Sequence, residues 1–253
     1  MKGTRAVGRQ FIELASVDST NKYAAARLAA GELRHGAVIL AHAQMAGMGQ
    51  RGRVWNMSAG LDIALSVVLV PEALPVSTHF AVAKVAALAV HDVVAEMLGG
   101  AAASVRIKWP NDVLIDRRKV AGILISNEVV GTSVQTSILG IGLNVNSTYL
   151  DEAFAATSLH NVLGRSVDRM AVVERLCQRI EARWDQLADA PAALDADYVD
   201  RLWMRGRFAD LELDGAPYQA RPVDVGPDGR LMVEGPDGVV LAYGLDRLRF
   251  APR

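Results

Sequence analysis

The chain has 253 residues, 51% of them hydrophobic and 22% charged, with a formal net charge of −1. That length holds one large domain, or one large and one small domain, and the composition is that of a soluble globular protein. The near-neutral balance argues against a broad electrostatic surface for nucleic acid, and a single cysteine excludes an internal disulfide or a cysteine-rich zinc centre.

That cysteine, Cys177, falls in a helix-like stretch and reads as a buried thiol. The start, Met1 to Gln10, is polar and basic without the apolar core of a signal peptide. The longest apolar stretch, Phe80 to Leu98, carries Lys84, His91, Asp92 and Glu96, which excludes a membrane span. A cytoplasmic protein is expected.

In chain order, Phe11 to Val17 reads as a strand. Asp18 to Asn21 offers helix-capping side chains ahead of an alanine-rich helix over Tyr23 to Ala30, ended by Gly31. Ala37 to Ala43 and Leu61 to Val70 are apolar strands. Ser77 is placed to cap a helix running to Leu98 and closed by Gly99-Gly100. Short strands follow at Val105 to Lys108 and Val113 to Ile115, then a tight hairpin at Asp116-Arg117-Arg118, then strands over Lys119 to Ile125 and Val134 to Val145. Asp168 starts an amphipathic helix, with Val172, Leu176, Ile180, Trp184 and Leu187 at helical spacing. A shorter helix is expected over Ala192 to Met204. Beyond Gly206, five short apolar runs separated by Asp-Gly and Pro-Asp-Gly turns predict a small all-β barrel or meander. The division expected is residues 1–205 and 206–253.

Three stretches carry candidate chemistry. Gly47-Met48-Gly49-Gln50-Arg51-Gly52 spells a dinucleotide-type glycine motif, but Arg53 to Gly60 is no amphipathic helix, so the Rossmann reading fails. What remains is a loop that approaches a ligand closely, followed by Arg53 and Trp55, or a structural turn with solvated arginines. The second stretch is Lys108-Trp109-Pro110-Asn111-Asp112 with Lys119 seven residues on. The chain has 22 Arg and only 5 Lys, and two of those lysines fall here. An ammonium is a compact point charge able to contact a carboxylate and a phosphate. A buried Trp beside a turn-forming Asn-Asp is the plainer explanation. The third is Gly140-Ile141-Gly142-Leu143-Asn144-Val145-Asn146, where glycines within a strand mark either close approach of a ligand or a bulge. Ser19-Thr20-Asn21 alone is most often a helix cap.

The order of these elements resembles the biotin–protein ligases. Ser19-Thr20-Asn21, then Gln44, the loop ending Arg51-Gly52-Arg53-Val54-Trp55, then KWPND (108–112), KVAGIL (119–124) and GIGLNVN (140–146) follow one another across residues 11 to 147. The resemblance implies that Ser19, Thr20 and Gln44, with Asn21, bind the ureido end of biotin, helped by backbone groups of Gly47, Met48, Gly49 and Gln50. It gives Lys119 the biotin carboxylate and then the adenylate phosphate, and makes Gly122 an unobstructed wall. Arg51 and Arg53 engage phosphates, Trp55 stacks on adenine and Asn144 hydrogen-bonds it. Lys108, Asn111 and Asp112 lie by the polyphosphate of ATP and its Mg2+; no protein ligand set for a metal is identified. Lys119, Arg53 and Asp112 are the expected catalytic groups.

Pattern and resemblance together imply an α+β fold: a mixed, mainly antiparallel sheet backed by helices, of class II synthetase type, with a small C-terminal Src-homology-3-like β-barrel. The partner implied is a biotin carboxyl carrier domain of a biotin-dependent carboxylase, with the ligase a monomer or a homodimer. Only 18 residues precede Ser19, and a winged-helix domain needs roughly 60 more, so no DNA binding is expected. This loop departs from the family at Met48 and Gln50, where basic residues are usual, at Met45, and at Ser126, where Glu is common. The alternatives are a lipoyl or octanoyl ligase on the same fold, or a non-catalytic biotin-binding protein.

Overall fold

The structure, a computed structural model, describes residues 6–148, 150 and 155–251. Residues 1–5 of the polar start therefore lie outside the described residues. Alternating and β-branched runs form β1 (Phe11–Leu14), β2 (Val38–Ala41), β3 (Ile63–Leu69), β4 (Leu74–Pro75), β5 (Val105–Lys108), β6 (Asp112–Ile115), β7 (Arg118–Val130) and β8 (Ser133–Leu143). They make one eight-stranded sheet in the order β1-β2-β3-β8-β7-β6-β5, with β4 paired to β8. Only β1 and β2 run parallel.

The two faces of the sheet are covered differently. α1 (Thr20–Ala29) packs on one, its Ala24 meeting Ile39, Val68 and Ile138. α2 (Phe80–Leu98) packs on the other, apolar nearly all round as a central helix must be. Its Lys84 is buried, with Nζ donating to Asp195 Oδ1 at 2.7 Å and standing near the Phe80 and Tyr198 rings. α3 (Leu159–Leu163), α4 (Arg169–Asp189) and α5 (Pro191–Asp200) follow, the last two packing outside α2. Asp168 caps α4 by accepting from the Met170 and Ala171 amides, and Cys177 is buried in that helix.

Several expectations need correction. α2 begins at Phe80 with His79 as its cap; Ser77 belongs to a 3-10 turn over Val76–Thr78. α5 ends at Asp200 rather than Met204, because Arg201 to Trp203 pair with the open edge of β5: Ile107 N donates to Arg201 O at 2.9 Å, and Trp203 N to Ile107 O at 2.8 Å. β7 runs on to Val130, its polar end held by Ser137 Oγ donating to Asn127 Oδ1.

The five C-terminal apolar runs are β9 (Ala209–Leu213), β10 (Ala216–Val225), β11 (Leu231–Glu234), β12 (Val240–Tyr243) and β13 (Leu248–Phe250). They form an antiparallel sheet in the order β12-β11-β10-β9-β13. Of the expected barrel or meander, the barrel is not confirmed: among the described residues β12 and β13 end the strand order and no closed barrel is found. Its turns use the anticipated residues, with positive φ at Asp214, Gly215, Gly229 and Gly238. The same apolar core runs through both sheets, joining Leu211, Val233 and Phe250 to Ile107 and Trp109.

Candidate active site

Strand register builds the floor of the site. Directly paired residues share a face, and one row crosses six strands as Lys108, Asp112, Gly122, Gly142, Ala64 and Ala41. Side chains are therefore absent or reduced to a methyl over the middle of the sheet, beside the N-terminus of α1. The next row includes Leu124, Gly140 and Ser66. Asn21 lies on it: Nδ2 donates to Leu124 O at 3.1 Å, and Oδ1 accepts from Ser66 Oγ at 2.6 Å. A Cβ on Gly140 would come within 2.8 Å of Asn21 Cγ.

Lys119 reaches this face through a register slip. Its numbering places it with Ala121, which is packed in the core against the α2 side. Ala121 pairs with Val113, but Leu114 pairs with Lys119, so Val120 is an extra residue and the face changes. Lys119 Nζ then stands 2.6 Å from Asp112 Oδ1, an ion contact without aligned hydrogen-bond geometry. The backbone of Lys119 is clamped by Ala155 and Thr157, through Lys119 N to Ala155 O at 2.9 Å and Thr157 N to Lys119 O at 2.8 Å.

The glycine loop folds as a tight hairpin over that floor. Trp55 N donates to Gly47 O and Gly49 N to Arg53 O, with a 3-10 turn at Gln50–Gly52 and positive φ at Arg51 and Gly52. A Cβ on Gly47 would stand 2.6 Å from Trp55 O, so glycine is required there. The Trp55 indole lies on the paired glycines: a Cβ on Gly122 would be 2.9 Å from its Cζ3. Lys119 Nζ sits 5.4 Å from the ring centroid, and the buried indole Nε1 has no hydrogen-bond partner among the described residues.

At the other end, Gln44 Oε1 accepts from Thr20 N at 2.8 Å and Thr20 Oγ1 at 3.1 Å, which caps α1 and gathers Ser19, Thr20 and Gln44 into one polar pocket beside Gly47. Ser19 and Thr20 are buried. The structure thus brings together Ser19, Thr20, Asn21, Gln44, Gly47, Trp55, Asp112, Lys119 and Gly122.

Other expected residues are engaged elsewhere. Arg51 donates to the Leu245 carbonyl in the turn between β12 and β13. Arg53 is exposed, Met48 bridges Val54 across the hairpin, and Gln50 opens its 3-10 turn. The Lys108 ammonium lies near the Trp203 and Phe250 rings, at 5.7 and 5.5 Å from their centroids. Asn111 replaces a strand pairing, with Nδ2 donating to Ile123 O at 2.9 Å. Asn144 is buried and Nδ2 donates to Thr157 O at 3.0 Å, so it also anchors the segment that clamps Lys119. The Trp109–Pro110 peptide is cis, and the Trp109 indole donates to Gly229 O at 2.8 Å.

Sequence reasoning missed Asp62. Its buried carboxylate accepts from the backbone of Ser58, Val145 and Ser147 and from the Ser147 hydroxyl. It ties the segment after Trp55 to the segment after Asn144. An acidic residue after Gly60-Leu61 reads as part of a turn, so the sequence held no signal for it.

Residues 13–144 match the Biotin/lipoate A/B protein ligase family, and the chain belongs to that family. It is 37% identical over 240 residues to the biotin–[acetyl-CoA-carboxylase] ligase of Mycobacterium tuberculosis, covering 93% of this chain and 88% of that one. It is 38% identical over 181 residues to the enzyme of that name from Paracoccus denitrificans, covering 70% and 73% of the two chains. Among solved structures, the biotin protein ligase from Aquifex aeolicus in complex with biotin and ATP superposes with a TM-score of 0.76 at 25% identity, covering 96% of this chain and all of that one.

Proposed function

We propose that this chain is an ATP-dependent ligase that activates biotin as biotinyl-adenylate and transfers the biotinyl group to a lysine of the biotin carboxyl carrier domain of a biotin-dependent carboxylase. The observation that carries this reading is the Lys119–Asp112 pair at the edge of a floor free of side chains, with Trp55 lying across it. Joining a carboxylate to a triphosphate requires two anions to approach, and a fixed ammonium between them lowers that repulsion where charge develops.

In the first step the biotin carboxylate oxygen bonds to the α-phosphorus of ATP, and the bond to the bridging oxygen breaks with release of pyrophosphate. In the second, the acceptor lysine amine attacks the acyl carbon and loses a proton, and AMP leaves. No enzyme nucleophile is needed. Ser19, Thr20 and Gln44 supply buried polar groups suited to a cyclic urea, with Asn21 closing the floor. Lys119 serves the carboxylate and then the phosphate, while Asp112 holds its ammonium in place. Arg53 adds positive charge to the loop over the polyphosphate. Trp55 offers a stacking face for adenine, and Arg51, Lys108, Asn111 and Asn144 belong to the nucleotide end. The loop Gly47 to Gln50 shields the adenylate from water.

Among the described residues, no three His, Cys, Asp or Glu side chains converge as a metal site. Asp112 is a single carboxylate, and a single carboxylate suits a Mg2+ that arrives on the phosphates of ATP. When bound, that ion neutralises phosphate charge. No helix among the described residues is long and apolar enough to cross a membrane. We place the protein in the cytoplasm, with residues 1–205 as the catalytic part and 206–253 as a smaller one.

The test is pyrophosphate release with biotin and ATP beside transfer to a carrier domain, with Lys119→Ala as control. Both activities are expected in the wild type and neither in the variant. Release driven by lipoate in place of biotin moves the reading to a lipoyl ligase, and binding of biotin without release moves it to a binding protein.

A further inference from the structure

A second concavity lies on the same side of the sheet, beyond the groove. It has a volume of about 600 Å³ and is lined by Arg106, Arg117, Arg205 and Arg207 together with Asp116, Asp200 and Trp203. Four guanidinium groups face two carboxylates here, in a chain whose formal net charge is −1. Arg205 is partly neutralised by Asp200, and Arg106 donates to the Val105 carbonyl at 2.7 Å. Arg117 and Arg207 are exposed, with exposed Arg118 adjoining. Guanidinium groups thus outnumber carboxylates by four to two in this lining.

Two features fix its relation to the groove. Arg106 precedes Lys108 by two residues on β5, so both face the side that carries Asp112 and Gly122. Trp203 lines the cavity and also carries the Lys108 ammonium 5.7 Å from its ring centroid. Lys108 in turn pairs with Asp112 across β5 and β6, so the cavity adjoins the end of the groove that carries Asp112. None of the polar lining residues is buried. Small-molecule pockets enclose most of their ligand. An open rim of guanidinium groups instead suits a protein surface bearing carboxylates, which it steers and orients on encounter.

We propose that this arginine-lined concavity docks an acidic face of the carrier domain and so delivers its lysine to the groove. The proposal rests on the ligase reading and goes beyond it by naming the surface and the charge of the partner that fits it. The surface acts on the acceptor step alone, because biotin and ATP meet in the groove without it.

The test is an Arg117→Glu/Arg207→Glu double variant, with Arg117→Lys/Arg207→Lys as its conservative partner. Both positions are exposed, so thermal melting is expected to stay unchanged. Binding of the purified carrier domain is measured directly, together with KM for carrier, KM for ATP, and trapping of the activated acyl group by hydroxylamine. The Glu pair is expected to weaken carrier binding and raise its KM by about tenfold, as reversal of rim charges does, while KM for ATP and hydroxylamine trapping stay at wild-type values. The Lys pair is expected to remain near wild type, and added salt to weaken carrier binding by the wild type more than by the Glu pair. Equal carrier affinity in wild type and Glu pair overturns the proposal. So does a parallel rise in KM for ATP, which assigns the arginines to the nucleotide, or a change in oligomeric mass with carrier binding intact, which assigns them to a second copy. Failure of the ligase reading shows separately, as absence of pyrophosphate release in the wild type.

Discussion

Gly142 carries the Trp55 indole directly on its backbone: a Cβ built at this glycine would stand 2.6 Å from the indole Nε1. The contact joins the centre of β8 to the glycine loop, and it is possible only because residue 142 has no side chain. Gly142→Ala must lift the indole or distort the strand. Overpacking of this kind costs about 1–3 kcal/mol, and pyrophosphate release is expected to fall at least about tenfold as the stacking face is displaced. Gly100→Ala, with open space around it, is the control. Tryptophan emission and pyrophosphate release read the two effects; wild-type values for Gly142→Ala would show that the loop's seat on the sheet is immaterial.

Removal of the Lys119 ammonium leaves Asp112 facing the incoming phosphates alone. Lys119→Ala is expected to lower the rate of adenylate formation by about 10²- to 10³-fold, the usual consequence of deleting one preorganised charge-stabilising group. Lys119→Arg is expected to restore only part, since a planar fork does not replace a point charge. Single-turnover formation of the adenylate is the measurement, and a variant that retains full rate removes Lys119 from the chemistry.

Acid sensitivity should concentrate where α4 meets α5. Burial alone would raise the Asp197 pKa, but hydrogen bonds from Gln186 at 3.0 Å, Arg183 at 2.6 Å and Arg201 at 2.9 Å outweigh it and lower the pKa from 3.8 to about 2. A carboxyl whose folded pKa is depressed adds stability above its unfolded value and loses it as pH falls through the folded one. The window is therefore between 3.8 and about 2. With solvent screening allowed for, the contribution is on the order of 1–2 kcal/mol. Asp197→Asn is expected to be less stable near neutrality and to show a flatter stability profile across that window. An unchanged slope in denaturant titrations at successive pH values would contradict this.

Tyr198 is fully buried, and its hydroxyl has no hydrogen-bond partner among the described residues. Burial raises the phenol pKa, since the charged form finds no solvent there. The ring packs edge-on against Phe80 at 5.9 Å. Tyr198→Phe keeps that packing and removes an unsatisfied polar group, which costs about 1–3 kcal/mol to bury. The variant is expected to melt at or above the wild-type temperature, and a clear drop would mean that the hydroxyl has a partner in solution.

Much of this was legible in the residues. A long apolar stretch closed by Gly99-Gly100 located α2, helical periodicity located α4, and Asp-Gly and Pro-Asp-Gly turns located the C-terminal strands. The order of short motifs anticipated that Ser19, Gln44, Trp55, Asp112 and Lys119 would converge. What stayed hidden depends on tertiary pairing. The end of α5 at Asp200 follows from the unpaired edge of β5, and the polar end of β7 becomes strand only because Ser137 and Thr136 lie opposite. Local pattern carries no record of such neighbours. The same holds for Asp62, whose four donors come from residues before and far after it.

The extra residue at Val120 makes spacing as decisive as side-chain identity. A regular strand would seat Ala121 and Lys119 on one side, so a chain with Ala121 in the core would press the ammonium under α2. Ironing out the bulge while keeping Val120 would leave every charged, aromatic and glycine residue of the groove present in the polypeptide and still move its cation to the wrong side of the sheet. A residue inserted between Lys119 and Ala121 should therefore be far less tolerated than deletion of Val120, which keeps Lys119 opposite Leu114 on the groove face. The address of the lysine is written in a count of residues.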